Sequence, residues 1–174
     1  MAPGPEAAPG RARLRASAWD YLVIVAWLAV RTVLGVLARV LVPPAAGPLS
    51  PLAVDAVALG LSVLPVWGYL TLTEGSTAQA TWGKRRTSLR VTDARGAKPG
   101  RVRVAVRNGV KLLPWQLAHV SVARIVLEVD APFVVGATYA LSLLLPAVSI
   151  AMAWRDPLHR ALHDRVAGTR VVLA

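Results

Sequence analysis

Several charged residues of this chain lie in otherwise apolar stretches, and their spacing suggests the chemistry open to them. Asp20 follows Arg13 by seven residues, which on a helix of 3.6 residues per turn puts the two within ~20° of one face. Arg31 falls on the same stripe, with Trp27 between. A charge near mid-bilayer costs at least ~2.5 kcal/mol on insertion scales. Arg31 therefore needs a carboxylate partner, for which Asp55 and Glu128 are candidates, or a wet cavity, in which case the stripe is an ion or proton path. Asp20 is expected to be held by Arg13 or another cation. Arg124 and Glu128 are four residues apart and can pair within one helix. His119 could relay a proton near neutral pH or be hydrogen-bonded in place. His159 and His163 share a helical face beside Asp164, but no third nitrogen or sulfur ligand accompanies them, so no metal is expected.

The chain of 174 residues has no Cys, which removes thiolate catalysis, disulfides and thiolate-bound metals. No nucleophile with its base, Gly-rich phosphate loop or paired-carboxylate site stands out, so neither enzymatic activity nor a cofactor is expected. A hydrophobic content of 55% and a mean hydropathy of +0.52 are too high for an ordinary soluble domain of this length. Lys and Arg outnumber Asp and Glu by 20 to 9, for a net charge of +11. In a membrane protein such an excess marks cytoplasmic loops and attraction to anionic lipid headgroups. Nucleic acid is not expected as a partner, because the basic loop has a single aromatic, Trp82, and so no stacking platform.

The elements that must position these residues follow from hydropathy. A first span is expected over about 19–42, ended by Pro43-Pro44 and an uncharged external connection to Pro51. A second covers 52–72 and is kinked at Pro65. The loop 74–109 carries its many Lys and Arg against only Glu74 and Asp93, and is cytoplasmic by the positive-inside rule. Within it Leu89–Val91 and Val102–Val106 alternate apolar and polar, the pattern of strands. The stretch 110–129 is a poor span taken alone, whereas 132–154 is a convincing one. If the basic loop and the basic C-terminal tail share one side, the chain between them crosses an even number of times. The expectation is thus an all-α membrane protein of four transmembrane helices, or three if 110–129 lies in the interface. Both termini are inside, residues 1–12 form a disordered tail, and a small cytoplasmic β element includes Arg170–Leu173. Asp164 is expected as an anchor beside Arg165, preceding a helix that Gly168 ends in the left-handed conformation.

Three segments resemble the RDD family of bacterial membrane proteins, and the likeness extends from about Arg13 to the C-terminus. Arg13, Ala16 and Asp20 match the family's arginine, small residue and aspartate on the first helix. Thr81-Trp82-Gly83-Lys84-Arg85, followed by Leu89-Arg90-Val91, is similar to its Thr-x-Gly-Lys-Arg element, with Ser88 where the family has glycine. Arg107-Asn108 and the stretch Leu162 to Val172, with Asp164, Gly168 and Thr169, complete the pattern. The resemblance implies a membrane domain for which transport of unidentified ligands has been proposed, and cation/proton exchange for some members. Two functional classes stay open: a small transporter or ion/proton exchanger at the cell membrane, and a non-catalytic subunit that organises a homo-oligomer, a partner membrane protein or anionic lipid.

Overall fold

The computed structural model describes residues 6–41 and 49–174. The Pro43-Pro44 stop and most of the connection to Pro51 lie outside them, as do the first five residues of the tail. α1 (Gly10–Leu41) is longer than the expected span, starting nine residues earlier. Within the segment read as a tail, Glu6 and Ala8 make backbone hydrogen bonds to the C-terminal strand region. Ala8 N donates to Val171 O at 3.0 Å and Leu173 N to Glu6 O at 3.1 Å, after which α1 begins.

The second apolar segment comprises α2 (Pro51–Ala58), a π-helical turn over Leu59–Val63, and α3 (Leu64–Glu74). The irregular turn lies just before Pro65, which has no N–H to donate to the carbonyl four residues back, that of Leu61. The Trp27 indole of α1 donates to that same carbonyl at 3.2 Å, so a partner from another helix replaces the bond proline removes.

A short helix α4 (Trp82–Arg86) and strand β1 (Leu89–Asp93) follow, then α5 (Arg101–Val126), α6 (Pro132–Arg155), α7 (Leu162–Ala167) and β2 (Thr169–Leu173). β1 and β2 pair antiparallel, Leu89 opposite Leu173 and Asp93 opposite Thr169. Val102–Val106, read as a strand, is instead the first turn and a half of α5. Its alternation of Val with Arg misleads because the face that α5 buries is helical and largely polar, running through Val104, Arg107, Asn108 and Leu112.

Three helical segments among the described residues are long and apolar enough to cross a membrane: Gly10–Leu41, Pro51–Glu74 and Pro132–Arg155. α5 does not qualify by composition. It packs lengthwise against α6 and against α2 and α3. One apolar cluster, Val63, Val66, Leu70 and Leu112, joins α3 to α5. Another, of Ala8, Ala16, Leu89 and Val171, seats α1 on the sheet. Much of the rest of α1 is bare, with Leu22, Val25, Leu34 and Val40 all more than half exposed.

Candidate functional site

The charged residues collect at one end of the bundle, where α1 begins and α3 ends. Asp20, 3% exposed, accepts from Tyr69 Oη at 2.9 Å, Thr81 Oγ1 at 2.6 Å and the Gly83 N–H at 2.9 Å, with Lys84 Nζ 3.9 Å away. The Gly83 N–H can reach Asp20 because α1 and α4 nearly touch. A Cβ on Gly83 would lie 2.1 Å from the Ala16 carbonyl oxygen and 2.9 Å from the Asp20 carboxyl, so only glycine fits. The small residue at position 16 serves the same approach. Trp19 and Trp82 meet edge to face beside it, and the Arg86 guanidinium stacks on both rings.

Glu74 is the second acid and is fully buried. It pairs with Lys84 Nζ at 2.8 Å and Arg107 Nη1 at 2.5 Å, and accepts from Asn108 Nδ2 at 3.1 Å. Asp164 is the third. Arg107 Nε reaches it at 3.0 Å and Arg13 Nη2 at 2.7 Å. From the third position of α7 its carboxylate also accepts the Ala161 N–H at 3.1 Å, a cap of that helix. Burial alone would raise the Asp164 carboxyl, but Arg107 and Arg13 hold it well below the usual carboxylate range. Arg107 thus ties α3 to α7, and Arg13 ties α1 to α7 while also donating to the His159 carbonyl. Removing one partner of such a pair costs about 3–5 kcal/mol, because the other charge stays buried.

Sequence reading left the cation beside Asp20 open between Arg13 and another residue, and the second alternative is the one found. Arg13 does not hold Asp20. It turns to Asp164, and the cation near Asp20 is Lys84. Arg165 pairs not with Asp164 but with Asp156, at 3.2 Å; Asp156 also binds Arg160 at 2.9 Å. Gly168 does end α7 in the left-handed conformation, φ 63°, and the buried Thr169 starts β2. Ser88, where the family pattern has glycine, carries φ 51°.

The charges read as intramembrane are paired differently from expectation. Arg124 bonds Asp55 across helices rather than Glu128 within its own helix. Glu128 sits beyond the end of α5 with φ 52°, which takes it off the helical face that a four-residue pair requires. Among the described residues Arg31 therefore meets neither Asp55 nor Glu128, and its buried Nε has no hydrogen-bond partner. His119 Nδ1 lies 2.8 Å from the Trp115 carbonyl. Glu74 and Tyr69 carry weight that sequence reading did not assign, whereas Thr81 is the threonine of the element likened to Thr-x-Gly-Lys-Arg. The signal for Glu74 was an isolated acid among many cations.

Inside this cluster Arg13, Lys84, Arg107, Lys111 and His163 surround a cavity of 80 Å³ with Ser17 on its wall. Burial pushes the His163 imidazole down to about 3, with Asp164 opposing and Arg107 and Lys111 adding to the shift. It is therefore neutral at neutral pH.

The fold and site together define a class: apolar helices clasped at one end by a buried network of ion pairs. Compared with known protein families, the chain matches the RDD family over residues 7–168, nearly its whole length, and it belongs to that family. No curated protein and no solved structure matches it.

Proposed function

We propose that the chain is a four-crossing protein of the cell membrane, with its termini and charge cluster on the cytoplasmic side. In this reading it works not as an enzyme but by holding an anionic ligand at that interface. The carrying observation is a surplus cation. Asp20, Glu74 and Asp164 are matched by Arg13, Lys84 and Arg107, while Lys111 lines the cavity and makes no ion pair among the described residues. An anion in the cavity would complete the balance, and a charged hydrogen bond there is strong because few waters compete for it.

The crossing of α5 rests on its ion pairs. Arg107 meets Glu74 near one end and Arg124 meets Asp55 near the other, so α5 runs antiparallel to α2 and α3. The seventeen helical steps from 107 to 124 rise ~26 Å, close to the ~30 Å hydrocarbon thickness. The Lys- and Arg-rich segments gather at the Arg107 end, which the positive-inside rule assigns to the cytoplasm. An exchanger would need Asp20 open to a path. Three donors and Lys84 enclose it, and it serves the packing of α1 on α4.

The test is titration of delipidated protein in nonionic detergent with inorganic phosphate, following thermal melting. The melting temperature of the parent should rise with phosphate, that of Lys111→Arg should rise similarly, and that of Lys111→Gln should stay flat. A flat response in the parent, or an equal rise in Lys111→Gln, would overturn the reading.

A further inference from the structure

The cavity does not stand alone. His163, Arg13 and Ser17 line both it and a groove of 630 Å³ between the first two turns of α1 and the last two of α6. Away from these shared residues the groove walls are mainly apolar: Leu14 on α1, and Ile150, Ala153 and Trp154 on α6. Leu14 and Trp154 stand 72% and 82% exposed at its rim, and Trp is a side chain that favours the membrane interface. The inner cavity is lined by four cations beside apolar Ala16, Leu89 and Val171, and has room for more than a water, which needs only ~10–15 Å³. A free anion uses the cavity but leaves the groove empty. An anionic amphiphile fits both.

Resting on the anion-binding reading above, we propose that the ligand is an anionic phospholipid. Its phosphate enters the cavity between Arg13, Lys84 and Lys111, and its glycerol backbone and the first carbons of its acyl chains lie in the groove between α1 and α6. Charge complementarity selects the headgroup, since a phosphodiester without a compensating ammonium supplies the missing negative charge, whereas a zwitterionic lipid brings its own cation into a site already positive. The groove selects the chain, because Leu14, Ile150 and Trp154 would otherwise face water and polar headgroups. The ligand is held where α1 and α6 fail to close on each other, and so bridges two helices that Arg13 and Asp164 join only indirectly through α7.

Native mass spectrometry of the full chain released from detergent tests this. The probes are phosphatidylglycerol, phosphatidylethanolamine, the deacylated headgroup glycerophosphoglycerol and inorganic phosphate. One phosphatidylglycerol per chain should bind at least tenfold more tightly than each of the other three. Lys111→Gln and, independently, Ala153→Trp, which fills the groove, should each weaken it about tenfold. The comparison of lipid with its own headgroup needs no variant, so a misfolded Ala153→Trp does not remove the test. If phosphate and glycerophosphoglycerol bind as well as the lipid, the lipid assignment falls and the anion reading stands. If both lipids bind equally and without regard to Lys111, the contact is ordinary bilayer lipid and the proposal fails. If no anion binds at all, both readings fall together.

Discussion

At the scale of single residues, the cluster turns charge into geometry. Each acid accepts from two or more elements, so its position is fixed only when all of them are in place. Asp164 caps α7 through the Ala161 N–H while receiving Arg13 from α1 and Arg107 from α5. His163 is next to it and behaves oppositely to a histidine recruited for charge. Burial first, against Asp164 and with Arg107 and Lys111, lowers it from 6.5 to about 3. The unfolded chain therefore binds a proton below pH 6.5 that the folded chain refuses, and stability rises with pH across that window. The His163 contribution is fully present above 6.5 and is lost as pH falls toward 3. Asp164 and Asp156, both held low, add losses only below the ordinary carboxylate value. Melting in detergent should thus show a loss of about 1–2 kcal/mol between pH 7 and pH 5, and His163→Gln should flatten that slope. A parent whose melting is level over this range would show that the imidazole is solvated rather than buried.

At the scale of elements, the question is what holds α5, the least apolar of the long helices, against its neighbours. Arg124 and Asp55 lie at the far end from the cluster, with side chains 12% and 17% exposed. Replacing Arg124 by Leu leaves a carboxylate among apolar side chains and should cost about 2–3 kcal/mol, seen as a lower yield of monodisperse protein on size-exclusion chromatography. Combining it with Asp55→Leu should recover most of that yield, because an apolar pair replaces the ionic one without leaving a charge behind. A double variant no better than the worse single one would mean that the two side chains do not face each other.

This pair also shows where sequence reading stops. The residues that meet in the cluster were legible as a set, from Arg13 and Asp20 through Gly83 and Arg107 to Asp164. Helical spacing tells which residues share a face of one helix, but not which other helix that face meets. Arg13 and Asp20 do share a face, yet their seven-residue offset aims one at α7 and the other at α4. Val102–Val106 failed for a related reason: Val104 is buried while Val102 and Val106 are exposed, so the inward face follows the helical series Val104, Arg107 and Asn108 rather than every second residue. Glu74 looked like a loop residue because hydropathy falls before the helix ends. It is the last residue of α3 and pairs with both Lys84 and Arg107.

At the scale of the whole molecule, the two ends differ in kind. One holds the sheet, the short helices and the ion-pair network; the other is joined by the Arg124–Asp55 pair and the short turn between α5 and α6. With α5 lying alongside the apolar segments, Lys98 before α5 and Asp130 after it should fall on opposite sides of the membrane. Both are exposed, and the absence of native cysteine allows each to be probed alone. In intact cells an impermeant maleimide should label Asp130→Cys and spare Lys98→Cys, which should react only after the cells are opened. Labelling of Lys98→Cys in intact cells would reverse the orientation and place the cation-rich cavity outside, away from the leaflet that its charge is proposed to serve. Labelling of Asp130→Cys only after opening would remove the α5 crossing. Because α6 packs along α5 and begins just past Asp130, the hairpin would then have both ends on one side. Three crossings could not return the basic C-terminal segment to the side of the basic loop, and the even count that the charges demand would have to come from a re-entrant α6.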